Sequence, residues 1–182
     1  VDFFTSDQHF DHDRIIELCK RPFANADEMN EKMIANWNVV VKPEDTVHFL
    51  GDFAVGKTTS PEKAADYANK LNGSVEFCVG NHDEALLRAY ERGMLERWIQ
   101  RPLYYELKPT KKLTIVLCHY AMRNWQYRGY GSWHLFGHSH GGAPDLGKST
   151  DVGVDRWSFA PVSLEQLKEY MSKKEIGNDS FY

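Results

Sequence analysis

The chain has 182 residues, 42% hydrophobic and 26% charged, which is enough for one sizeable core and excludes a largely disordered chain. Its net charge is −4 and no basic stripe is visible, so a long nucleic acid is not expected as a partner. No apolar run reaches the length of a bilayer span and no signal-peptide pattern is present, so the expectation is a cytoplasmic protein without membrane contact.

Apolar strand-like runs alternate with amphipathic helical runs, the pattern of an α/β protein, read here as one domain over residues 1–182. VDFFTS opens as a strand and ends on Asp7-Gln8-His9. His12 to Lys20 (HDRIIELCK) predicts a short helix. A longer helix covers about Ala26 to Val40, because Met29, Met33, Ile34 and Trp37 fall on one helical face. TVHFL is the next strand and ends on Gly51-Asp52. Ser60-Pro61 marks a helix start and Asn72-Gly73 its stop, since proline is tolerated where the first-turn N–H has no partner. SVEFCV leads into Gly80-Asn81-His82-Asp83, and a helix follows from near Asp83 to Gly93. LYYEL and LTIVLC flank the turn-like Lys108-Pro109-Thr110-Lys111, predicting an antiparallel hairpin that delivers His119. WHLF ends on Gly137-His138-Ser139-His140, and Ser163 with Gln166 predicts a capping box for the helix LEQLKEYM. Cys19, Cys78 and Cys118 sit among apolar neighbours without zinc-finger spacing and read as reduced core residues.

Apolar runs thus end repeatedly on residues able to bind metal. Singly, each has an ordinary explanation: an Asp after a strand is usually a turn or cap residue, and a His beside an apolar run is usually a satisfied, half-buried side chain. Jointly they mean more. In Asp7-Gln8-His9 and His138-Ser139-His140, residues two apart share a face of an extended segment, so each pair aims both donors to one side.

In this order the motifs resemble those of the calcineurin-like metallophosphoesterase superfamily, nearest its small bacterial or phage-type branch. They are D-x-H at Asp7 and His9, G-D at Gly51 and Asp52, G-N-H-D at Gly80 to Asp83, the lone His119, and G-H-S-H at Gly137 to His140, spanning residues 1–155. The resemblance implies a four-layer α/β/β/α sandwich in which two packed mixed β-sheets are flanked by helices. It implies two divalent ions, Mn²⁺ first and Fe, Zn²⁺ or Ni²⁺ as alternatives that suit the same donors. Asp7, His9 and His140 would hold one ion, Asn81, His119 and His138 the other, and Asp52 would bridge them. The implied reaction is hydrolysis of a phosphate ester by a hydroxide shared between the ions, with Asp52 and His82 as catalytic residues and His82 assisting the leaving oxygen. After Asp52 the chain reads FAVGK, without the acidic and basic residues that protein-phosphatase relatives carry there. The expected substrate is therefore a small phosphate ester, a phosphodiester before a monoester, with nucleotides among the candidates.

Between His119 and Trp133 the segment AMRNWQYRGYGS offers Arg123, and behind it Arg128, as phosphate contacts. Trp125, Tyr127 and Tyr130 either stack on a base or pack over a sheet edge. His12 and Arg14 are placed near the cleft, whereas His48 and His134 lie inside strands and read as structural. Asp83 either orients His82 or begins the following helix. A rival pattern, G-x-x-x-x-G-K-[ST], runs from Gly51 to Thr58 and would make a nucleotide-binding protein. Asp52 beside its first glycine would repel phosphate, and the predicted helix starts near Pro61 rather than after Lys57, so this reading ranks last. A second match, Gly142 to Ser149, is followed by a strand-like run and fails on context.

Overall fold

The structure is a computed structural model and describes residues 1–55, 57 and 59–176. In chain order the elements are β1 (Asp2–Thr5), α1 (Asp13–Cys19), α2 (Ala26–Val40), β2 (Thr46–Phe49), α3 (Pro61–Asn69), β3 (Ser74–Phe77), α4 (Glu84–Glu91), β4 (Trp98–Gln100), β5 (Tyr104–Thr110), β6 (Leu113–Cys118), β7 (Trp133–Phe136), β8 (Ser149–Asp151), β9 (Val162–Ser163) and α5 (Leu164–Ser172), with a 3-10 turn at Arg128–Tyr130.

Two mixed sheets result. The first has the order β4-β3-β2-β1-β9, with β1 to β4 parallel and β9 antiparallel to β1. The second has the order β5-β6-β7-β8, in which only the β5–β6 pair is antiparallel. Strand alternation then makes two cores, because successive side chains leave opposite faces. Phe3, Val47, Phe49, Val75 and Phe77 face Ile15, Met29, Met33, Trp37, Ala68, Leu86 and Ala89 of the helices. Phe4, Leu50 and Cys78 point the other way and meet Ile115, Leu117, Trp133 and Leu135 of the second sheet. From the β9 edge, α5 adds Leu164, Leu167 and Met171 to this inter-sheet core. The expected arrangement of two packed mixed sheets flanked by helices is the one observed.

Local signals place the helices as anticipated. The Asn25 side chain accepts the Glu28 N–H at the start of α2, and Ser60 does the same for Lys63 ahead of Pro61 in α3. The capping box of Ser163 and Gln166 is formed. One boundary differs. The hairpin turn expected at Lys108 to Lys111 falls instead after Thr110, with a register irregularity between Leu107 and Thr110. Pro109 can lie in β5 because β5 is an edge strand, where a missing N–H deprives no neighbour. In the rival nucleotide-binding pattern, Gly56 and Thr58 lie outside the described residues, and α3 begins at Pro61 rather than directly after Lys57.

Candidate metal centre

The C-terminal ends of β1, β2, β3, β6 and β7 converge where the two sheets meet. Past their last residues, the first two strands keep running side by side. The Asp7 N–H donates to the Gly51 carbonyl (2.9 Å), that of His9 to Asp52 (3.1 Å) and that of Phe10 to Phe53 (2.8 Å). In the second sheet the Gly137 N–H donates to the His119 carbonyl (2.9 Å). The segments are strained. Asp7, His9, Asp52, His138 and His140 have φ of 62°, 54°, 62°, 64° and 48°, a left-handed region that costs about 1–3 kcal/mol per residue and persists only where surroundings enforce it. Close approach enforces glycine too: a Cβ on Gly80 would strike the Asp52 carboxylate and the His119 ring, and one on Gly137 would strike Ser6 and Asp7.

Among the described residues three groups of donors form; one of them, Cys19, His140 and Asp155, shares His140, and the other two are the trios at the strand ends. Asp7, His9 and His140 bring ligand atoms within 4.8 Å of one another, and so do Asp52, His119 and His138. Asn81 joins the second trio, its Oδ1 lying 3.2 Å from His119 Nε2. Asp52 stands between the trios: its Oδ2 is 3.5 Å from His9 Nε2 and 3.6 Å from His119 Nε2. Its Oδ1 accepts the His82 N–H at 2.9 Å, so one oxygen alone faces both sides. The first trio is deep, with Asp7 and His9 buried, whereas His138 and Asn81 are exposed.

Each of three histidines has its Nδ1 engaged away from the centre. His119 Nδ1 meets the Leu50 carbonyl at 2.6 Å, His140 Nδ1 meets Asp155 Oδ2 at 2.8 Å, and His9 Nδ1 lies 3.2 Å from His12 Nδ1. Such partners fix the ring and leave Nε2 to face inward. His9 Nε2 is buried and has no hydrogen-bond partner. An orphaned buried nitrogen costs about 1–3 kcal/mol, and a cation is what its lone pair suits. Burial, with the neighbouring His140 and Arg21 charges, holds His9 well below its usual pKa and keeps that lone pair available. Burial likewise pushes the Asp7 carboxyl up to about 8, the nearby Asp151 and Asp52 adding to the rise and His140 and Ser6 opposing it. A divalent ion would reverse both penalties, so these residues fit a metal.

Several supporting residues were not legible in the sequence. Arg21, almost fully buried, donates to the carbonyls of Gln8 (2.8 Å) and Asp7 (2.7 Å) and bonds both oxygens of Asp155 (2.8 Å each). Asp155 is thereby aimed at His140. Although burial pushes its pKa up, the His140 and Arg21 bonds outweigh it and hold it low. Asp151 accepts from the Ser139 hydroxyl and the N–H groups of Gly141 and Gly153, fixing the His138-Ser139-His140 turn. Two aspartates inside the apolar run DVGVD were the available signal. Asp83 does more than open α4. Its Oδ2 accepts from the N–H of Asp52 (2.9 Å) and Gly80 (2.6 Å), and its Oδ1 from Phe53 (2.7 Å), which clamps two ligand loops together.

His82 places its ring centroid 5.4 Å from that of His9 and 6.5 Å from that of His12. His48 stacks on Phe4 and faces Asp2 and Glu76, and His134 is buried in β7, so both lie inside strands as expected. The arginine and aromatic loop divides. Trp125 is buried against His134, and Arg128 lies over the Trp125 ring and donates to the Arg123 carbonyl, so these two build the loop. Arg123, Tyr127 and Tyr130 are exposed, and no contact ties the Arg123 side chain to either trio among the described interactions.

Fold and site together define an α/β protein of two mixed sheets with a His/Asp cluster able to hold divalent metal at its strand ends. No family model matches the chain. A protein of Methanocaldococcus jannaschii named "Uncharacterized protein MJ1445" is 32% identical over 181 residues, spanning 96% of this chain and 93% of the relative. The chain belongs to the family of that archaeal protein. The gene 66 protein of Mycobacterium phage L5 is 27% identical over 200 residues, covering 93% of each chain. Among solved structures, the protein of unknown function AQ665 from Aquifex aeolicus superposes with a TM-score of 0.69 at 22% identity, covering 93% of this chain and 98% of that one, which establishes a shared fold.

Proposed function

We propose that this protein is a metal-dependent phosphohydrolase of the calcineurin-like superfamily that cleaves small phosphodiesters. The observation that carries the reading is Asp52 Oδ2, set 3.5 Å from His9 Nε2 and 3.6 Å from His119 Nε2 between two trios of donors. Divalent ions bound there would neutralise phosphoryl oxygens and acidify a water molecule to serve as nucleophile. The chain's own residues do the rest. Asp7, His9 and His140 hold the deep side, while Asn81, His119 and His138 hold the open side, through which a phosphate enters. Asp52 contributes the shared negative charge, leaving the loaded centre positive toward an anionic ester. His82 is anchored through its N–H on Asp52, and its ring, beside that of His9, would give a proton to the departing oxygen.

The test is hydrolysis of a chromogenic phosphodiester, with the matching monoester alongside, by metal-stripped protein reloaded with Mn²⁺. Metal-dependent cleavage that is faster on the diester is the expected result. Faster cleavage of the monoester would reassign the substrate class within the same chemistry. Cleavage of neither, in protein shown to have bound metal, would overturn the reading.

A further inference from the structure

The loop from His119 to Ser132 joins β6 to β7 beside the open trio, and its own contacts hold it in shape. Trp125 Nε1 donates to the Ser132 carbonyl (3.3 Å), and the Met122 N–H donates to His134 Nε2 (3.0 Å). Tyr120 is held differently. Its ring centroid lies 4.8 Å from those of both His119 and His138, yet the residue is 47% exposed. A side chain that rests on two site imidazoles and still opens to solvent is a wall of the cleft. The rings meet at 77° and 64°, so neither imidazole lies flat on the phenol ring.

Burial gives the cleft its direction. Asp7 and His9 close the deep side, whereas Asn81 and His138 are exposed. An organic group esterified to a phosphate seated between the trios has a way out over the open side, where Tyr120 stands. His82, half-buried, has its ring beside those of His9 and His12 instead. The two ester arms thus meet different surroundings: imidazoles at one, a tyrosine ring at the other.

We propose that Tyr120 is the platform on which a base of the substrate stacks, making the substrate class a nucleotidyl phosphodiester whose nucleoside lies over the open trio. The inference rests on the phosphoesterase reading for the seat of the phosphate. Base stacking on one aromatic side chain is worth roughly fivefold to a hundredfold in affinity and tolerates any base, because each has a π-face.

The experiment is isothermal titration of the Mn²⁺-loaded protein with thymidine 5′-monophosphate and with 2-deoxyribose 5-phosphate, which share sugar and phosphate and differ by the base. The nucleotide is expected to bind about tenfold more tightly. Tyr120→Ala should shrink that preference to below about twofold, and Tyr120→Phe should retain it, because the ring and not the hydroxyl is used. Equal affinity of the two ligands, binding of neither, or a preference that survives Tyr120→Ala overturns the proposal. An equal loss for both ligands in Tyr120→Ala would also overturn it, assigning Tyr120 to support of His119 and His138. Turnover of a diester measured alongside separates the two claims. A base preference without turnover keeps the nucleotide site and rejects the phosphoesterase.

Discussion

Asp52 divides its carboxylate, one oxygen toward both trios and the other to the His82 amide. Asp52→Asn preserves the shape and the amide contact but removes the shared charge. Metal analysis should show fewer than two ions retained, and turnover should fall by on the order of 10²-fold or more. Near-normal activity would contradict a bridging role. His82→Ala should keep its metals and lose roughly 10²–10⁴-fold in kcat. That loss should shrink for esters with good leaving groups, because they need no proton, and a uniform loss would argue against an acid role. At this scale the inward-facing residues were legible in the sequence only jointly, since successive apolar runs end on side chains able to bind metal. Their supports were not. Arg21 and Asp155 are 134 positions apart, and no local pattern announces a pair that only the folded chain brings together.

Asp83 and His134 act at the scale of whole segments. Asp83→Ala would strand the N–H groups of Asp52, Phe53 and Gly80 at once, and unsatisfied buried donors cost about 1–3 kcal/mol each. A loss of several kcal/mol in urea unfolding is expected, together with weakened metal binding. Unchanged stability would mean that the clamp is dispensable. His134 ties the loop over the second sheet to β7: its Nδ1 faces the Val116 carbonyl (3.2 Å) and its Nε2 accepts the Met122 N–H. Burial lowers its pKa to about 4, so the unfolded chain takes up a proton, below about 6.5, that the folded one refuses. Its contribution is therefore complete above pH 6.5 and is lost as pH falls toward 4, up to about 3 kcal/mol. His134→Gln should show a shallower fall in urea midpoint across that window, whatever its stability at neutral pH. An identical slope would remove His134 from the acid response. Element boundaries followed the same logic of legibility. The period of Met29, Met33 and Trp37 located α2, while the turn after β5 was misplaced because a proline's meaning depends on whether its strand lies at an edge.

For the whole molecule, both trios draw on both sheets: Asp7 and His9 from the first with His140 from the second, Asp52 and Asn81 with His119 and His138. Bound metal should therefore staple the sheets, raising the melting temperature by an amount that grows with metal concentration. The pH dependence has a definite sign. With Asp7 raised to about 8, the metal-free fold holds a proton that the unfolded chain has already released. Its stability should fall as pH rises, and the histidines no longer oppose this above about pH 6.5. The Mn²⁺-induced rise in melting temperature should accordingly be larger at pH 8 than at pH 6.5, and a smaller one would refute the assignment of Asp7. The two packed mixed sheets could be anticipated only through the family resemblance, because alternation of strands and helices does not say on which sheet a strand will lie.

The His138 N–H that donates to Asp7 crosses 131 positions of sequence, and this sets an order on the birth of the molecule. A ribosome releases Asp7 and His9 long before His140, and Asp155, which orients His140, emerges later still. A nascent chain carrying only β1 to β4 has Asp7 and His9 of the first trio and Asp52, with Asn81, of the second, and lacks the imidazoles of His119, His138 and His140 that complete them. Competence for metal is thus acquired late in synthesis and all at once, so truncated chains released early should neither hoard metal nor attack phosphate esters.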